Sequence, residues 1–201
     1  KFKNFIKEFK NEKYFSQSKI LTMHENFRFV LNSACENSKY FTWMAADDYR
    51  SHDFLTQNVN FLEKNIDYVA SISPVKFDSI KTSSYNIGDL GLEDKKISNR
   101  LNISLNKLHA NSRLFSVFRK SAFNDFKYID NEFLGYDYLF IIHILRKGKF
   151  KRINKGFVIL SKQGSSNQKN IFKINRETAI ELILPFKKLL SNSLYLYKKE
   201  N

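Results

Sequence analysis

Cysteine, proline and glycine are all scarce in this sequence. Its 201 residues include one cysteine, Cys35, two prolines and six glycines. A single cysteine excludes an internal disulfide framework and a zinc site built from several cysteines, and it favours a reducing, cytoplasmic compartment. Because there is no proline-rich linker and no internal repeat, we expect a single domain over residues 1–201.

Long apolar runs are also missing. No stretch approaches the ~20 residues that a membrane-spanning helix needs, and residues 1–4 do not begin the long apolar region of a signal peptide. The sequence does not start with methionine. We interpret it as a fragment of a longer protein.

Acidic residues are outnumbered by basic ones. The chain has 34 Lys and Arg against 20 Asp and Glu, a formal net charge of +14 at pH 7. Such a charge favours anionic partners, which include nucleic acid, an anionic membrane surface and nucleotide phosphates. Since no run of like charges reaches the length of a binding tail, a basic but merely solvated surface is the alternative.

Apolar spacing predicts a helix early in the chain. Five residues follow the i, i+3, i+4, i+7, i+8 pattern: Phe27, Val30, Leu31, Ala34 and Cys35. The pattern places Cys35 on the buried face, as an inert core residue. Weaker signals favour a helix over residues 2–9 and a short strand over residues 19–21.

The most informative segment is residues 40–55, in which an aromatic-rich apolar run ends abruptly in Asp47 and Asp48. Adjacent carboxylates repel and raise each other's pKa unless a cation binds them. Open α/β sheets hold ligands just beyond the carboxyl ends of their strands. We therefore predict a strand over residues 40–46 that ends at a metal ion, with a strand-end turn as the alternative, in which both carboxylates cap the next helix or pair with lysine.

A helix is expected to follow over residues 51–64, with Ser51 as its N-cap. Its predicted buried face consists of Leu55, Val59 and Leu62. Residues 68–75 form the next strand-like run. Alternating strands and helices indicate a βαβ arrangement and a mostly parallel sheet.

Residues 79–112 are polar and show little periodicity, so we expect a functional or mobile loop. Order resumes with Arg113 to Arg119. A last strand is predicted over residues 157–160, and a helical segment over residues 171–201, interrupted at Pro185.

Residues 135–148 predict a helix that is apolar almost all round and ends in basic residues and a glycine. Such a helix is buried, and it places Asp137 in the first turn, where the helix dipole favours a carboxylate. We expect His143 to be a hydrogen-bonded core residue, and Tyr136 and Tyr138 to pack in the core rather than stack on a ligand.

Four segments occur in an order typical of a known enzyme family. They are Trp-Met-Ala-Ala-Asp-Asp-Tyr at 43–49, Asn-Ile-Asp-Tyr-Val-Ala at 65–70, Phe-Arg-Lys-Ser-Ala at 118–122 and Leu-Gly-Tyr-Asp-Tyr-Leu-Phe at 134–140. As an ordered set within residues 15–166, they resemble the family-2 glycosyltransferases of GT-A fold. The resemblance implies an α/β, Rossmann-like fold with a mostly parallel sheet flanked by helices, which here lacks its first strand or strands.

The sequence departs from the family pattern in three places. Many members carry Asp-Ala-Asp-Asp, whereas Ala45 stands where the first Asp would be. A histidine often follows the last strand in the family, but Ser-Lys-Gln-Gly occupies residues 161–164. The family's opening strand and the acidic patch that holds the nucleotide base have no counterpart.

The resemblance implies roles for individual residues. Asp47 and Asp48 would bind Mn²⁺ or Mg²⁺, and Asp137 would act as the catalytic base, with a purely structural helix-dipole role as its alternative. Two residues are assigned to donor binding: Ala46 and Arg119, the latter with a surface salt bridge as its alternative. Three are assigned to a substrate loop: Lys162, Gln163 and Ser165.

The implied function is transfer of a sugar, with inversion, from a nucleotide-diphosphate donor to a cell-envelope glycan or lipid-linked acceptor. The positive charge suits peripheral contact with the anionic inner face of a membrane. Two rival interpretations are a non-catalytic fragment of this fold and a basic nucleic-acid-binding protein, for which no recognition motif is present. We expect no nucleic-acid partner, and we expect the fragment alone to be inactive.

Overall fold

The computed structural model describes residues 13–77, 88–106, 111–126, 133–161, 183–184 and 186–198. These residues form a mixed α/β structure, as the sequence predicted, with five α-helices and two sheets. No helix among them is long and apolar enough to cross a membrane. In chain order the helices are α1 Met23–Ser33, α2 Phe54–Lys64, α3 Ile97–Asn106, α4 Tyr136–Lys147 and α5 Lys187–Lys198.

Seven short strands build the two sheets. They are β1 Tyr40–Phe41, β2 Tyr49–Arg50, β3 Tyr68–Ile72, β4 Val75–Phe77, β5 Val117–Arg119, β6 Lys149–Arg152 and β7 Val158–Leu160. The first sheet has the strand order β1-β5-β3-β6, and the second has the order β2-β7-β4.

The expectation of a mostly parallel sheet was wrong for these strands. β5 is antiparallel to both β1 and β3, and β2 is antiparallel to β7, whereas only β3 with β6 and β4 with β7 are parallel. Strand and helix alternation predicts crossover connections, but it does not fix the direction of a strand that inserts between two others.

Helices cover both faces of the first sheet. On β5, Val117 and Phe118 point to opposite faces, and both are buried. Phe118 belongs to the larger core cluster together with Leu139 of α4, and Val117 belongs to the smaller cluster together with Phe54 of α2. The two helices therefore pack on opposite sides of the sheet.

Helix α4 agrees closely with its prediction. It starts after Gly135, whose φ of 86° suits glycine, and ends before Gly148. Nine of its twelve residues are buried, from Tyr136 to Leu145. His143 is a core residue as expected, since its Nε2 lies 3.1 Å from the carbonyl oxygen of Ala122.

The expected loop over residues 79–112 contains helix α3, which the sequence analysis did not predict. Leu92 exchanges two backbone hydrogen bonds with Phe150, at 2.9 and 3.0 Å, and is buried. Arg100 is also buried. Residues 78–87 and 107–110 lie outside the described residues.

Two helix boundaries differ from prediction. Thr22 and Glu25 form a reciprocal capping box at the start of α1, and the helix ends at Ser33. Cys35 therefore follows the helix and is exposed, so its assignment to the core was wrong. Asp53, not Ser51, is the N-cap of α2.

The buried face of α2 and the first strand prediction also need correction. Leu55 is exposed, and the buried side chains of α2 are Phe54, Asn58 and Leu62. Residues 19–21 form no strand. The predicted helix over residues 2–9 and the predicted interruption at Pro185 lie outside the described residues.

Candidate functional site

The chain between β1 and β2 forms a turn that carries the acidic pair. The predicted strand over residues 40–46 ends at Phe41, because only Tyr40 and Phe41 pair with β5. Trp43 then fixes the path of the chain: it is buried, its Nε1 donates to the carbonyl oxygen of Phe27 at 3.2 Å, and its ring lies 5.4 Å from that of Phe140. We call residues 44–48 the acidic turn.

Asp47 and Asp48 have different surroundings. Asp47 is exposed, whereas Asp48 is half-buried. Oδ1 of Asp48 accepts a hydrogen bond from the backbone N–H of Ser161, just after β7, at 3.2 Å. Its Oδ2 is buried and has no hydrogen-bond partner. Among the described residues, neither carboxylate caps α2.

Burial raises the pKa of Asp48 above its usual range, and the charge of Asp47 adds to the effect. Backbone contacts with Ser161 and Ala45 and the charge of Arg50 oppose it. The acidic turn thus holds one open carboxylate beside one that is desolvated and fixed in place.

Arg50 lies next to the acidic turn as a half-buried cation. Its Nη2 donates to the carbonyl oxygens of Trp43 and Phe115, and its guanidinium lies 4.6 Å from the centroid of the Phe54 ring. Burial lowers the pKa of Arg50 to about 10. Its charge faces Asp48, so Arg50 supports the acidic turn from within.

Asp137 lies in the first turn of α4, where it was predicted. Burial raises the pKa of this half-buried carboxyl, whereas the Asn111 side chain and the backbone N–H groups of Asp137 and Tyr138 favour its charged form. Asn111 contacts Asp137 without a well-formed hydrogen bond, since both its amide atoms are buried without a partner.

One short element connects Asp137 to the acidic turn. The 3₁₀ helix Ser112–Phe115 follows Asn111 directly, and its last carbonyl oxygen, on Phe115, accepts from Arg50 and from Thr42, each at 3.5 Å. A 3₁₀ helix rises ~2 Å per residue, so four residues span about 8 Å. The acid on α4 and the acidic turn therefore flank the same short helix.

The sequence analysis missed Asn111, Arg50 and Ser161. Asn111 and Arg50 carry no motif and are recognised only by their contacts. Ser161 had one usable signal, because it directly follows a predicted strand, and strand ends gather at one edge of a sheet.

A partly buried ion pair lies near the Ser112–Phe115 helix. Asp89 is 1% exposed, and its Oδ2 accepts from the backbone of Val75 at 2.8 Å and from Nε of Arg152 at 2.9 Å. Arg113 is also buried, and its Nε donates to the carbonyl oxygen of Leu90 at 2.9 Å. These contacts attach the chain around residue 89 to β4 and to the 3₁₀ helix.

Arg119 does not join the site. Its guanidinium donates to the carbonyl oxygens of Tyr68 at 2.8 Å, Leu62 at 2.5 Å and Asn65 at 3.3 Å. These acceptors lie at the end of α2 and the start of β3, and Arg119 itself pairs with Tyr40, the first residue of β1. In this structure Arg119 caps backbone carbonyls, and its role in donor binding stays a prediction.

The remaining predicted site residues fall into three groups. Ala46 is exposed within the acidic turn. Tyr136 and Tyr138 are buried, which agrees with packing. The three substrate-loop residues lie outside the described residues: Lys162, Gln163 and Ser165.

Within the part of the chain that the structure describes, no group of three or more His, Cys, Asp or Glu side chains could hold a metal ion by itself. A magnesium or manganese site in this turn would therefore depend on the two aspartates and on oxygens of a bound substrate. No protein-family model and no curated protein matches the chain.

Proposed function

We propose that the chain is a glycosyltransferase domain of GT-A type, which transfers a sugar with inversion from a nucleotide-diphosphate sugar to a glycan or lipid-linked acceptor. The observation that carries the proposal is the joint position of Asp137 and the acidic turn on either side of the Ser112–Phe115 helix. The order of the four sequence segments supports it independently.

The acidic turn fits a divalent cation, Mn²⁺ or Mg²⁺. Asp47 is open to solvent, and Oδ2 of Asp48 lacks a hydrogen-bond partner although it is buried. Both metals accept one or two carboxylates together with phosphate oxygens. When bound, the cation would stabilise the negative charge that develops on the leaving diphosphate.

Asp137 suits the role of catalytic base. The acceptor hydroxyl attacks the anomeric carbon, the bond from that carbon to the diphosphate breaks, and the hydroxyl proton passes to the Asp137 carboxylate. A base works best when its pKa lies near the working pH. Burial raises the pKa of Asp137 in that direction, and Asn111 is close enough to orient the same hydroxyl.

The positive charge of the chain suits its proposed partners. At +14, the protein attracts nucleotide phosphates and the anionic surface of an inner membrane face, where a lipid-linked acceptor would be presented. We therefore propose that the reaction takes place on the cytoplasmic side. A nucleic-acid partner has no comparable local support among the described residues.

The test uses the longest natural polypeptide that contains this chain. Binding of UDP and of GDP is measured by calorimetry with and without Mn²⁺, and Mn²⁺ binding is measured by electron paramagnetic resonance. Asp47→Ala is expected to abolish the Mn²⁺-dependent part of nucleotide binding, and Asp48→Ala to weaken it less. Glu36→Ala, which removes an exposed carboxylate outside the acidic turn, is the matched control and should bind as the wild type does.

Turnover separates the proposal from its rival. Release of UDP or GDP from UDP-glucose, UDP-N-acetylglucosamine and GDP-mannose is measured for the wild type and for Asp137→Asn. We expect Asp137→Asn to keep nucleotide binding and to lose turnover. Nucleotide binding without turnover in the wild type would favour a non-catalytic member of the fold, and nucleotide affinity that is independent of both Mn²⁺ and Asp47 would refute the proposal.

A further inference from the structure

One face of the second sheet carries side chains that belong to neither core cluster. Tyr49 on β2 pairs with Ile159 on β7, and Ile159 pairs with Lys76 on β4. Residues paired across strands lie on the same face, so these three side chains form a row across the sheet. Phe157, two residues before Ile159, lies on this face as well. We call these four side chains the outer face.

The outer face is open, whereas the opposite face is buried. Tyr49 is 57% exposed, Lys76 is exposed, and Phe157 and Ile159 are half-buried. Three residues of the opposite face belong to the smaller core cluster: Val75, Val158 and Leu160. A single exposed tyrosine is ordinary, but Tyr49 stands beside further apolar side chains on the same face, and such a contiguous patch points to a binding surface.

The aromatic side chains of the outer face form a tilted pair next to a cation. The ring centroids of Tyr49 and Phe157 are 6.0 Å apart with an interplanar angle of 35°, and Nζ of Lys76 lies 5.3 Å from the centroid of Phe157. An aromatic face is electron-rich and attracts weakly positive C–H groups. One face of a pyranose ring presents such C–H groups. The hydroxyl groups at the edge of the ring and any acidic substituent could bind Lys76.

The outer face is continuous with the proposed catalytic site. Tyr49 directly follows Asp48, and the strand that carries Ile159 ends at Leu160. The next residue, Ser161, donates its backbone N–H to Asp48 Oδ1 at 3.2 Å. We propose that the outer face is the platform on which the glycan acceptor docks, with Tyr49 and Phe157 as stacking surfaces and Lys76 as the contact for an acidic group. This inference rests on the proposed function and deepens it.

The size of the outer face favours a glycan over a second copy of the chain. Two interstrand spacings give a width of about 10 Å, and two residues along β7 give about 7 Å. The product is of order 100 Å², whereas a stable dimer buries roughly 800 Å² on each partner. A short stretch of glycan matches this area.

The experiment measures binding of three oligosaccharides by saturation-transfer NMR and calorimetry: cellohexaose, chitohexaose and hexagalacturonate. We expect at least one to bind the wild type. Tyr49→Thr, which keeps a β-branched residue in the strand, should weaken binding at least tenfold, about the value of one aromatic contact. Tyr49→Phe should retain binding because it keeps the ring. The matched control is Tyr195→Ala, which removes a tyrosine of similar exposure, 53%, from α5.

Two cross-tests separate this inference from the proposed function. Tyr49→Thr should leave Mn²⁺-dependent UDP binding unchanged, and Asp47→Ala should leave oligosaccharide binding unchanged. If glycans bind through Tyr49 but no nucleotide binds, the platform stands and the transferase proposal fails. The platform is overturned if no oligosaccharide binds the wild type, if Tyr49→Thr binds them equally well, or if light scattering shows a dimer that Tyr49→Thr dissociates.

Discussion

Arg100 should be one of the most sensitive positions for stability, because it secures the helix that carries Asp137. Its Nε and Nη2 donate to the carbonyl oxygen of Leu145 in α4 at 3.0 and 2.7 Å. Its Nη1 donates to the carbonyl oxygens of Asp94 and Lys95 at 2.7 and 3.0 Å. A single buried side chain thus fixes α3, the segment before it and the last turn of α4. Arg100→Met would keep the apolar stem and remove all four hydrogen bonds.

The expected cost follows from the surroundings of each carbonyl. Hydrogen bonds from a charged donor contribute about 1.5–3 kcal/mol, and a buried acceptor left without a partner costs about 1–3 kcal/mol. Asp94 and Lys95 lie at the surface and regain water, so the main loss falls on the buried Leu145 carbonyl. Burial of the positive charge of Arg100 is itself unfavourable, as its lowered pKa shows. The substitution removes this cost, which offsets part of the loss. We expect a net destabilisation of about 3 kcal/mol.

Urea unfolding followed by circular dichroism measures this effect, and thermal unfolding gives a second reading. For a chain of this size, a loss of about 3 kcal/mol lowers Tm by about 6–12 °C. Arg28→Met, which changes an exposed arginine on α1, is the matched control and should shift the free energy of unfolding by less than about 0.5 kcal/mol. Arg100→Met behaving like Arg28→Met would refute the argument that the Leu145 carbonyl depends on Arg100.

Two further predictions concern α4 and its ends. In the folded state burial raises the pKa of Asp137, so folding favours the protonated carboxyl. The contribution of this group to stability is fully present below its ordinary pKa of 3.8 and is lost as the pH rises through the raised pKa. Asp137→Asn should therefore gain stability relative to the wild type as the pH rises from acid to neutral, as measured by urea unfolding at a series of pH values; a constant difference would contradict the assigned burial. Gly148→Ala should lose about 1–3 kcal/mol, because its new Cβ would lie 2.6 Å from Cγ1 of Val69 and 2.9 Å from the carbonyl oxygen of Asp67; a thermal midpoint equal to that of the wild type would show that the chain at Gly148 can move away from β3 at no cost.

The elements that could be predicted from the sequence are those whose own residues determine them. Helix α4 combines an almost continuous apolar run with glycines at both ends, so its boundaries and burial follow from local rules alone. Strands β3 and β4 were predicted as one run over residues 68–75, and they separate at Ser73 and Pro74. Proline has no N–H to donate to a ladder, which explains the break.

Strand β6 shows why other elements were missed. Its sequence is Lys-Phe-Lys-Arg, and only Phe150 is buried. Three of these four residues are basic, and nothing in such a segment favours a strand. It forms because β3 pairs with it along its length, and because Nζ of Lys151 lies 2.9 Å from the carboxylate of Glu93. Such stabilisation comes from residues distant in sequence, which local patterns do not contain.

The candidate site divides in the same way. The acidic turn and Asp137 could be predicted because each lies in a segment with a local signature, a run that ends in two acids and a buried helix that opens with one. Their supports could not be predicted. Arg50 and Asn111 act through the Ser112–Phe115 helix, which brings together residues more than sixty positions apart in the chain.

Buried polar atoms without a hydrogen-bond partner also gather at this site. Among the described residues they include Oδ2 of Asp48, Nε of Arg50 and both amide atoms of Asn111. Each such atom costs about 1–3 kcal/mol when water is excluded, and sequences tolerate these losses mainly where function requires them. Apolar side chains at these positions would pack without that loss. If the proposed function is correct, a ligand that brings hydroxyl and phosphate oxygens would supply partners for these atoms.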